Sequence, residues 1–325
     1  MKSLIRQIVR RSRTWVGFQE LRREGWGNVI RRWRTAPKIL RTRPVRTEPP
    51  EHADPAGCEV HVLVWDRDHL LGLWAAKSFY ATAGVEWPLF WHQGGPLSAR
   101  TADRLRAHFP DSRLVTADVA DQTVNARLDA LGFPNLRSAR SQAFMLRKLV
   151  DPVLLGHSRY MLLLDTDVLF FAQPTELLDA VAGNSSVGVF NRDQKSWYTI
   201  TPQLARERLG IELPERLNAG LGLVPRALLN LTRAEHWLAA APELLSETWL
   251  TEQTIQALYA GLNGVRFLPE TYVLSTEPGL ATADGRGLVA KHYASHPRPL
   301  LFREGIPHVL RGGILENLPC RRCRD

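Results

Sequence analysis

The chain has 325 residues, of which 44% are hydrophobic and 23% charged, so it can bury a core and is not a fully disordered protein. This length suits one large α/β domain with an appendage, or two modest domains. No run of about eighteen apolar residues occurs, which argues against a transmembrane helix. The three cysteines, Cys58, Cys320 and Cys323, are too few for a disulfide framework and indicate a reducing compartment.

The net charge of +9 is concentrated at the N-terminal end. Residues 1–50 hold 14 Lys and Arg against three Glu, a net of +11. The other 275 residues hold 28 basic and 30 acidic side chains, a net of −2. The globular part is therefore close to neutral, and we assign residues 1–50 to a basic arm and linker.

Apolar residues in this arm have helical spacing and predict basic amphipathic helices. They are Leu4, Ile5, Ile8 and Val9, then Trp26, Val29, Ile30 and Trp33, the second set surrounded by Arg22, Arg23, Arg31, Arg32 and Arg34. Such helices suit an anionic membrane surface, which residues 1–34 are expected to contact; the alternative is a helix packed on the main domain. Neither a secretory signal nor a nucleic-acid-binding module is recognised, so no nucleic acid is expected as a partner. The proline-rich stretch from Lys38 to Ala56 predicts a linker.

Beyond the linker, strand-like and helix-like segments alternate, which predicts an α/β sandwich with a mostly parallel sheet. The predicted strands are Glu59–Trp65, Trp87–Trp91, Arg113–Thr116 and Tyr160–Leu164, and the predicted helices are Leu70–Ala83, Ser98–His108 and Ser141–Leu155. Ligands of open α/β sheets bind at the carboxyl ends of the strands. Two of these strand ends lead into an acid, at Asp66 and Asp165.

The most informative segment is RYMLLLDTDVLFF, in which an apolar strand runs into Asp165, Thr166 and Asp167. Two carboxylates in apolar surroundings are costly to bury unless a cation lies between them. Oxygen ligands at positions i and i+2 suit Mg²⁺ or Mn²⁺, and such an ion can also hold a diphosphate. The alternative is a strand end whose aspartates cap a turn. A phosphatase of the haloacid dehalogenase type is disfavoured, because Leu169 stands at +4 and no later Gly-Asp-x-x-x-Asp element follows.

Four further features follow in chain order. The run from Asn218 to Leu223 predicts a polar turn that enters an apolar strand, and its glycines allow close approach of a ligand. Thr251 opens a predicted helix, and Arg266–Leu274 is strand-like. The last feature is the proline-punctuated loop Val289–Pro299, which holds Lys291, His292, His296 and Arg298.

In this order of motifs the chain resembles the GT-A-fold, nucleotide-sugar-dependent glycosyltransferases, and among them glycosyltransferase family 8. Members of that family carry a nucleotide-binding first strand, an Arg-containing helix, a D-x-D motif, an N-x-G turn, an Asp-Gln pair and a late His loop. The matching positions are Val64–Asp66, Arg147, Asp165 and Asp167, Asn218 and Gly220, Glu252 and Gln253, and His292. Two departures indicate a divergent member: Glu252 replaces the Asp of the pair, and the late loop lacks a G-x-x-K-P-W ending. The resemblance implies a GT-A-like, Rossmann-type α/β/α domain over residues 57–312, followed by a tail over 313–325.

The resemblance also implies a role for each matched residue. Asp165, Asp167 and His292 would hold Mn²⁺ or Mg²⁺, with His296 as the substitute for His292. The nucleotide would be bordered by Val64, Trp65, Asp66, Thr166 and Gly220, and the leaving diphosphate stabilised by Arg147, Lys291 or Arg298. Asn218 and Gln253 would lie near the sugar. If transfer retains the anomeric configuration, as the resemblance implies, no strong base is needed; if it inverts, Glu252 is the candidate base.

These observations predict a metal-dependent glycosyltransferase that moves a sugar from a nucleotide-diphosphate sugar, by default a UDP-sugar, to a glycan or glycolipid acceptor. Its expected role is in the synthesis of cell-surface polysaccharide, in the cytoplasm at the inner face of the membrane. One alternative is a non-catalytic adaptor on a degenerate transferase fold. A sugar-nucleotide pyrophosphorylase is less favoured, because Asp-Arg-Asp-His follows Trp65 in place of a G-x-G-T-R loop. The pair Cys320 and Cys323 is interpreted as a feature of the tail, because zinc needs four ligands.

Overall fold

The computed structural model describes residues 26–294 and 298–318. The strands are β1 (Cys58–Val64), β2 (Leu89–Gln93), β3 (Arg113–Val115), β4 (Tyr160–Leu164), β5 (Val168–Phe170), β6 (Gly188–Arg192), β7 (Leu217–Pro225), β8 (Val265–Phe267), β9 (Tyr272–Leu274) and β10 (Ala290–His292). The helices are α1 (Trp26–Thr35), α2 (His69–Ala83), α3 (Ala99–His108), α4 (Ala117–Leu131), α5 (Pro134–Gln142), α6 (Arg147–Leu155), α7 (Thr175–Ala182), α8 (Leu231–Ala240), α9 (Thr251–Asn263) and α10 (Ile306–Arg311). Shorter helical turns cover Ala36–Arg41, Pro50–His52, Phe144–Leu146, Pro202–Leu204, Ala205–Leu209, Arg226–Leu228, Pro242–Leu245, Leu301–Gly305 and Ile314–Asn317.

A seven-stranded sheet in the order β3-β2-β1-β4-β7-β6-β8 forms the centre of the molecule. Strands β1 to β4 are mutually parallel, and only β7 pairs antiparallel with its neighbours in this sheet. One apolar cluster lies between the sheet and α2, α3, α7 and α10, and a second lies between the sheet and α4, α5, α6, α8 and α9. Successive side chains of β4 point to opposite faces of the sheet, so Leu162 packs in the first cluster and Leu163 in the second. The predicted α/β/α sandwich with a mostly parallel sheet is confirmed.

The chain order reverses between β1 and β4. From β1 the chain proceeds outward to β2 and β3, and then returns to pair β4 with the other side of β1. Such a reversal opens a crevice at the carboxyl ends of the two strands. Asp66 and Asp165 therefore stand at the same edge of the sheet, as the sequence predicts.

A second, three-stranded sheet brings the end of the chain to this crevice. Its order is β5-β10-β9, and β10 runs antiparallel to β5 with His292 opposite Val168. Because β5 directly follows the acidic pair, this pairing places His292 beside Asp167. The predicted loop over Val289–Pro299 is therefore wrong in part, since it contains a buried strand.

Three other predicted elements differ from the structure. The single helix over Ser141–Leu155 is wrong: α5 ends at Gln142 and α6 begins at Arg147, and a buried ion pair between Arg140 and Asp151 joins the two. The run from Asn218 lies inside β7 and is not a turn, because β7 pairs with strands on both sides. The strand-like run Arg266–Leu274 divides into β8 and β9, which belong to different sheets.

The stretch before β1 packs on the domain. Ile39 and Val45 are fully buried in the first apolar cluster, and the Trp74 indole donates a hydrogen bond to the Ala36 carbonyl at 2.9 Å. Val45 N donates to the His108 carbonyl at 2.9 Å. In place of the predicted linker, this part of the chain covers α2, because its apolar residues have a place in the core.

Helix α1 precedes this stretch: Val29 and Thr35 are buried, whereas Ile30 and Trp33 are 43% and 64% exposed. The first predicted helical face, from Leu4 to Val9, lies outside the described residues. Among residues 26–294 and 298–318, no helix is long and apolar enough to cross a bilayer.

Candidate functional site

Two neighbouring strands hold the acidic pair in place through backbone hydrogen bonds. Asp165 N donates to the Gly220 carbonyl of β7 at 2.8 Å, and Tyr293 N, just past β10, donates to the Asp167 carbonyl at 2.9 Å. The pair is therefore bound on one side by the main sheet and on the other by the small sheet.

Asp165, Asp167 and His292 converge on one point. His292 Nε2 lies 3.2 Å from Asp167 Oδ1 and 3.9 Å from Asp165 Oδ2. The ligand atoms of the three residues lie within 4.8 Å of one another. One oxygen of each carboxylate thus faces the same imidazole nitrogen.

The other oxygen of each carboxylate is bound by a basic side chain. Lys148 Nζ donates to Asp165 Oδ1 at 2.6 Å and to the Ala219 carbonyl at 2.6 Å. Arg298 Nε donates to Asp167 Oδ2. Arg298 has φ +59°, which is uncommon for a residue other than glycine and is held here by the contacts of its side chain. The basic groups balance the two carboxylates and orient their remaining oxygens.

Asn218 fixes the orientation of the histidine. His292 Nδ1 lies 3.0 Å from Asn218 Oδ1, which also accepts from Gly220 N at 3.0 Å. The imidazole therefore donates through Nδ1, so that Nε2 faces the two carboxylates and could offer its lone pair to a cation held between them. A Cβ on Gly220 would lie 2.2 Å from His292 Cε1, so only glycine fits beneath the ring.

The donor set fits a hard divalent cation. Two carboxylate oxygens and one imidazole nitrogen suit Mn²⁺ or Mg²⁺. The hydrogen bond from His292 Nδ1 to Asn218 is of the kind that orients histidine ligands of metals. The predicted Asp-Asp-His cluster is confirmed as a group that could bind a metal. The substitute ligand His296 lies outside the described residues.

Electrostatic coupling shifts the pKa values in this cluster. Burial opposes ionisation of Asp167, but His292 and Arg298 outweigh it and hold the Asp167 pKa well below its usual value. Burial likewise disfavours the charged imidazole, and Asp167 and Asp165 overcome this to raise the pKa of His292. For Lys148, the effect of burial is outweighed by Asp165 and Glu252, and its pKa is raised. The site is therefore highly charged although it is largely buried.

Helix α9 places its first turn against β7. Gln253 Oε1 accepts from Ala219 N at 3.2 Å and from Asn218 Nδ2 at 3.3 Å, and Gln253 Nε2 donates to the Trp197 carbonyl at 2.8 Å. Asn218 Nδ2 also donates to Asp193 Oδ2 at 3.0 Å. This network joins the metal-type cluster to the predicted sugar-side residues Asn218 and Gln253.

Glu252, the neighbour of Gln253, faces the interior. It is 3% exposed and accepts a hydrogen bond from Gln256. Burial raises the pKa of Glu252 to about 7, with Lys148 acting to lower it and Asp165 to raise it. Burial therefore favours the neutral form of this carboxyl group more than it does for an exposed glutamate.

The residues predicted to border the nucleotide lie at the end of β1, and their side chains have local partners. Val64 is fully buried. The Trp65 ring covers Gly94, where a Cβ would lie 2.5 Å from it. Asp66 Oδ1 accepts from Ser98 N at 2.9 Å, which ties β1 to the start of α3. The Thr166 methyl group packs toward Gly72. These side chains therefore help to hold the walls of the crevice together.

Two predicted diphosphate contacts do not face the acidic pair. Arg147 pairs with Asp121 at 3.0 Å. Consecutive residues of a helix point about 100° apart, so Arg147 points away from the acidic pair although Lys148 faces it. Lys291 points to the face of β10 opposite His292, where Nζ binds Glu304 Oε1 at 2.7 Å and the Glu277 carbonyl at 2.6 Å.

Lys148, the next residue in the chain, faces Asp165, which Arg147 does not. A signal for this exists in the sequence, because Lys148, Asp151, Pro152 and Leu155 recur at i, i+3, i+4 and i+7 and form the buried face of α6. Asp193, the partner of Asn218, has no such signal, since it follows β6 in a loop.

No protein-family model matches the chain, and no curated protein matches it. Solved structures do match. Among them are glycosyltransferases. Mouse xyloside xylosyltransferase 1, apo form, has 13% identity and a TM-score of 0.46, with 72% of this chain and 96% of that chain covered.

The galactosyltransferase LgtC, in complex with donor and acceptor sugar analogues, has 17% identity and a TM-score of 0.47, with 81% and 96% covered. Core-mannan synthase A from Aspergillus fumigatus, in a Mn/GDP form, has 10% identity and a TM-score of 0.42, with 69% and 78% covered. These proteins are what the chain is similar to in structure. We derive its function from its own site, since fold does not fix function.

Proposed function

We propose that this protein is a metal-dependent glycosyltransferase that moves a sugar from a nucleotide-diphosphate sugar to a glycan or glycolipid acceptor. The observation that carries the proposal is the convergence of Asp165, Asp167 and His292 at the switch point of the sheet, with Lys148 and Arg298 behind the two carboxylates. A bound Mn²⁺ or Mg²⁺ would neutralise part of the diphosphate charge. The positive charges of the metal, Lys148 and Arg298 would together attract a diphosphate.

In the proposed reaction, the bond between the anomeric carbon and the β-phosphate oxygen breaks, and an acceptor hydroxyl oxygen forms the new bond. The nucleoside diphosphate departs with the bonding electrons, and its β-phosphate oxygen takes up the proton of the acceptor hydroxyl. Arg298 is the side chain that we assign to the leaving diphosphate, because it is the late-segment cation that faces the acidic pair. Asn218 and Gln253 are assigned to the sugar, with Gln253 held rigid by its three hydrogen bonds.

We propose that the configuration at the anomeric carbon is retained. Support comes from Glu252, the candidate base for inversion, which is buried and bound to Gln256 within its own helix. Glu252→Gln is expected to keep at least about a tenth of the turnover, whereas loss of a general base would cost about 10²–10⁴-fold. The anomer formed, identified by NMR of the product, decides the stereochemistry independently.

The experiment that tests the function is calorimetric titration of UDP into the protein with Mn²⁺ and then with EDTA, beside GDP, CDP and TDP. We expect one nucleotide to bind in Mn²⁺ and binding to be lost in EDTA. Asp167→Asn should abolish this binding and also sugar transfer from the corresponding nucleotide sugar. Asp103→Asn, which alters an exposed carboxylate on α3, is the matched control and should bind normally. A folded, metal-loaded protein that binds no nucleotide would instead favour a non-catalytic adaptor.

A peripheral position at an anionic membrane is proposed for α1. Ile30 is 43% exposed, and the exposed side chains of Arg31 and Arg34 surround it. Sedimentation with phosphatidylserine vesicles should remove the protein from solution, and Ile30→Asp and high salt should both weaken this association. Equal sedimentation of the wild type and Ile30→Asp would argue against the proposal. Such a position fits a role in building cell-surface polysaccharide.

A further inference from the structure

A cavity of about 250 Å³ lies next to the acidic pair. Three separate parts of the chain line it: α1 with the turn that follows, the segment between β1 and α2, and the late segment beyond β10. Its lining residues are Arg32, Trp33, Ala36, Pro37, Arg67, Asp68, Leu70, Leu71, Arg298 and Phe302. Arg298 belongs both to this cavity and to the charged cluster, through its bond to Asp167. The cavity therefore opens beside the group that we assign to the diphosphate.

The wall supplied by α1 is anchored to the domain. Val29 is 2% exposed, and α1 packs against the turn Leu301–Gly305 that contains Phe302. After α1, Ala36 accepts a hydrogen bond from Trp74, and Ile39 is fully buried. Trp33 lines the cavity and is nevertheless 64% exposed, so a ligand can reach it.

The chemistry of the lining is that of a nucleoside next to phosphate. Three arginines, Arg32, Arg67 and Arg298, line the cavity beside apolar residues that include Leu70 and Phe302, and its one carboxylate, Asp68, is paired with Arg67 at 3.3 Å. Ligand pockets commonly measure about 300–1,000 Å³, so this cavity suits one part of a nucleotide sugar and not the whole. Tryptophan stacks on any nucleobase, and arginine can pair with phosphate.

We propose that the N-terminal helix α1 completes the donor site, with Trp33 stacking on the nucleobase and Arg32 contacting the phosphates. This inference rests on the proposed function, because it requires a nucleotide at the acidic pair. It gives the basic arm a role in donor binding that is separate from membrane contact. Trp33 and Arg32 are positioned for it by the packing of Val29 and Ala36, so the site is built from residues more than 250 positions apart in the chain.

The test uses the full chain with Mn²⁺ and calorimetric titration of UDP and, if another is bound, of the nucleoside diphosphate that the wild type prefers. Trp33→Ala is expected to lower the affinity about five- to a hundredfold, and Trp33→Phe to stay within about threefold of the wild type. Arg32→Gln should weaken binding of UDP more than that of uridine, because uridine has no phosphate.

Ile30→Ala is the matched control, since Ile30 is an exposed apolar residue of the same helix that does not line the cavity. It should bind UDP like the wild type. Affinity for Mn²⁺ alone, measured by electron paramagnetic resonance, and the melting temperature should be equal in all of these proteins, which excludes a merely structural effect.

Each outcome distinguishes the inference from the function on which it rests. If the wild type binds a nucleotide and Trp33→Ala binds it equally well, the role of α1 is wrong and the proposed function stands. If Trp33→Ala changes only the KM of the acceptor, Trp33 belongs to the acceptor side and the inference is also overturned. If the wild type binds no nucleotide, both proposals fail.

Discussion

Gly220 occupies a position in β7 at which no side chain fits. A Cβ there would lie 2.2 Å from His292 Cε1 and 2.9 Å from Asp165 Oδ2. The strand must therefore carry glycine at this point for the imidazole to reach the two carboxylates. This requirement explains the small residue in the middle of a strand, where glycine otherwise costs stability.

Gly220→Ala is expected to displace His292 and to lower the affinity for Mn²⁺ about 10–100-fold, the effect typical of disturbing the groups that orient metal ligands. Calorimetry with Mn²⁺ measures it. Gly222→Ala is the control on the same strand, because its Cβ would meet Phe190 at 2.6 Å and disturb packing without touching His292. Equal Mn²⁺ affinity in the two variants would show that the cradle beneath His292 is unimportant.

The adjacent residues Arg147 and Lys148 provide a second comparison. Lys148 is 1% exposed and bonded to Asp165, whereas Arg147 pairs with Asp121. Lys148→Met should lower nucleotide affinity in Mn²⁺ at least about tenfold and reduce the free energy of unfolding by about 1–3 kcal/mol, because Asp165 loses its charged partner. Arg147→Met should change nucleotide affinity less than about threefold. The reverse order of effects in titrations of the two variants would contradict the assigned roles.

At the scale of elements, a buried basic cluster fixes the stretch between α1 and β1. Lys77 Nζ donates to Thr42 Oγ1 at 2.8 Å and lies 2.9 Å from His108 Nδ1. Burial lowers the Lys77 pKa to about 7, with Arg43 adding to the effect. Burial, Lys77 and Arg104 lower the His108 pKa to about 4. Burial therefore disfavours the charged form of both groups, and His108 is the one that stays neutral over the wider pH range.

This cluster predicts a loss of stability in acid. Between pH 6.5 and about 4 the unfolded chain binds a proton at His108 that the folded protein does not, so stability falls as the pH is lowered through this window. The shift corresponds to about 3 kcal/mol. His108→Gln should flatten the denaturant-derived stability profile over this range, and His236→Gln, which alters an exposed histidine on α8, should not. An unchanged profile in His108→Gln would refute the assignment.

Helix α1 and the stretch after it also show why an amphipathic pattern is ambiguous. The predicted apolar face is divided in the structure: Val29 packs inward, whereas Ile30 and Trp33 remain exposed. Helical spacing identifies residues that share a face, but the neighbour of that face lies elsewhere in the chain. The burial of Val29 supports packing on the domain, and the exposure of Ile30 supports membrane contact.

At the scale of the whole molecule, the site joins four distant parts of the chain. The main sheet supplies β4 and β7, the small sheet supplies β10, and α6 contributes Lys148. Metal binding should therefore stabilise the entire fold and not a single loop. This follows from linkage, since the unfolded chain does not keep these ligands together.

Addition of Mn²⁺ at about a hundred times its dissociation constant is expected to stabilise the wild type by about 2.7 kcal/mol. Differential scanning calorimetry should record this as an increase of several degrees in melting temperature, reversed by EDTA. Asp167→Asn should show no increase, and Asp103→Asn should behave like the wild type. A melting temperature that Mn²⁺ leaves unchanged would contradict the metal site.

Local signals in the sequence were sufficient for much of the fold. The bounds of β4 are those predicted, because a purely apolar run followed by Asp-Thr-Asp can be little else than a buried strand that ends at a polar edge. The predicted helix Ser98–His108 begins at a serine, and in the structure the Ser98 hydroxyl accepts from Thr101 N at 3.3 Å and caps α3. The members of the acidic cluster, Asp165, Asp167 and His292, were implied by the family resemblance that the order of the motifs carries, and the structure brings them together.

The direction of individual side chains was beyond these local signals. Arg147 and Lys148 differ by one helical step, and Lys291 and His292 by one strand step, so a small change in register exchanges the residue that faces the site. Pairing of β10 with β5 selects His292, and packing of α6 on the sheet selects Lys148. Packing also places Trp33 and Arg298 in the lining of one cavity. Such contacts depend on how distant surfaces fit together, and a periodic pattern along the chain contains no information about the distant partner.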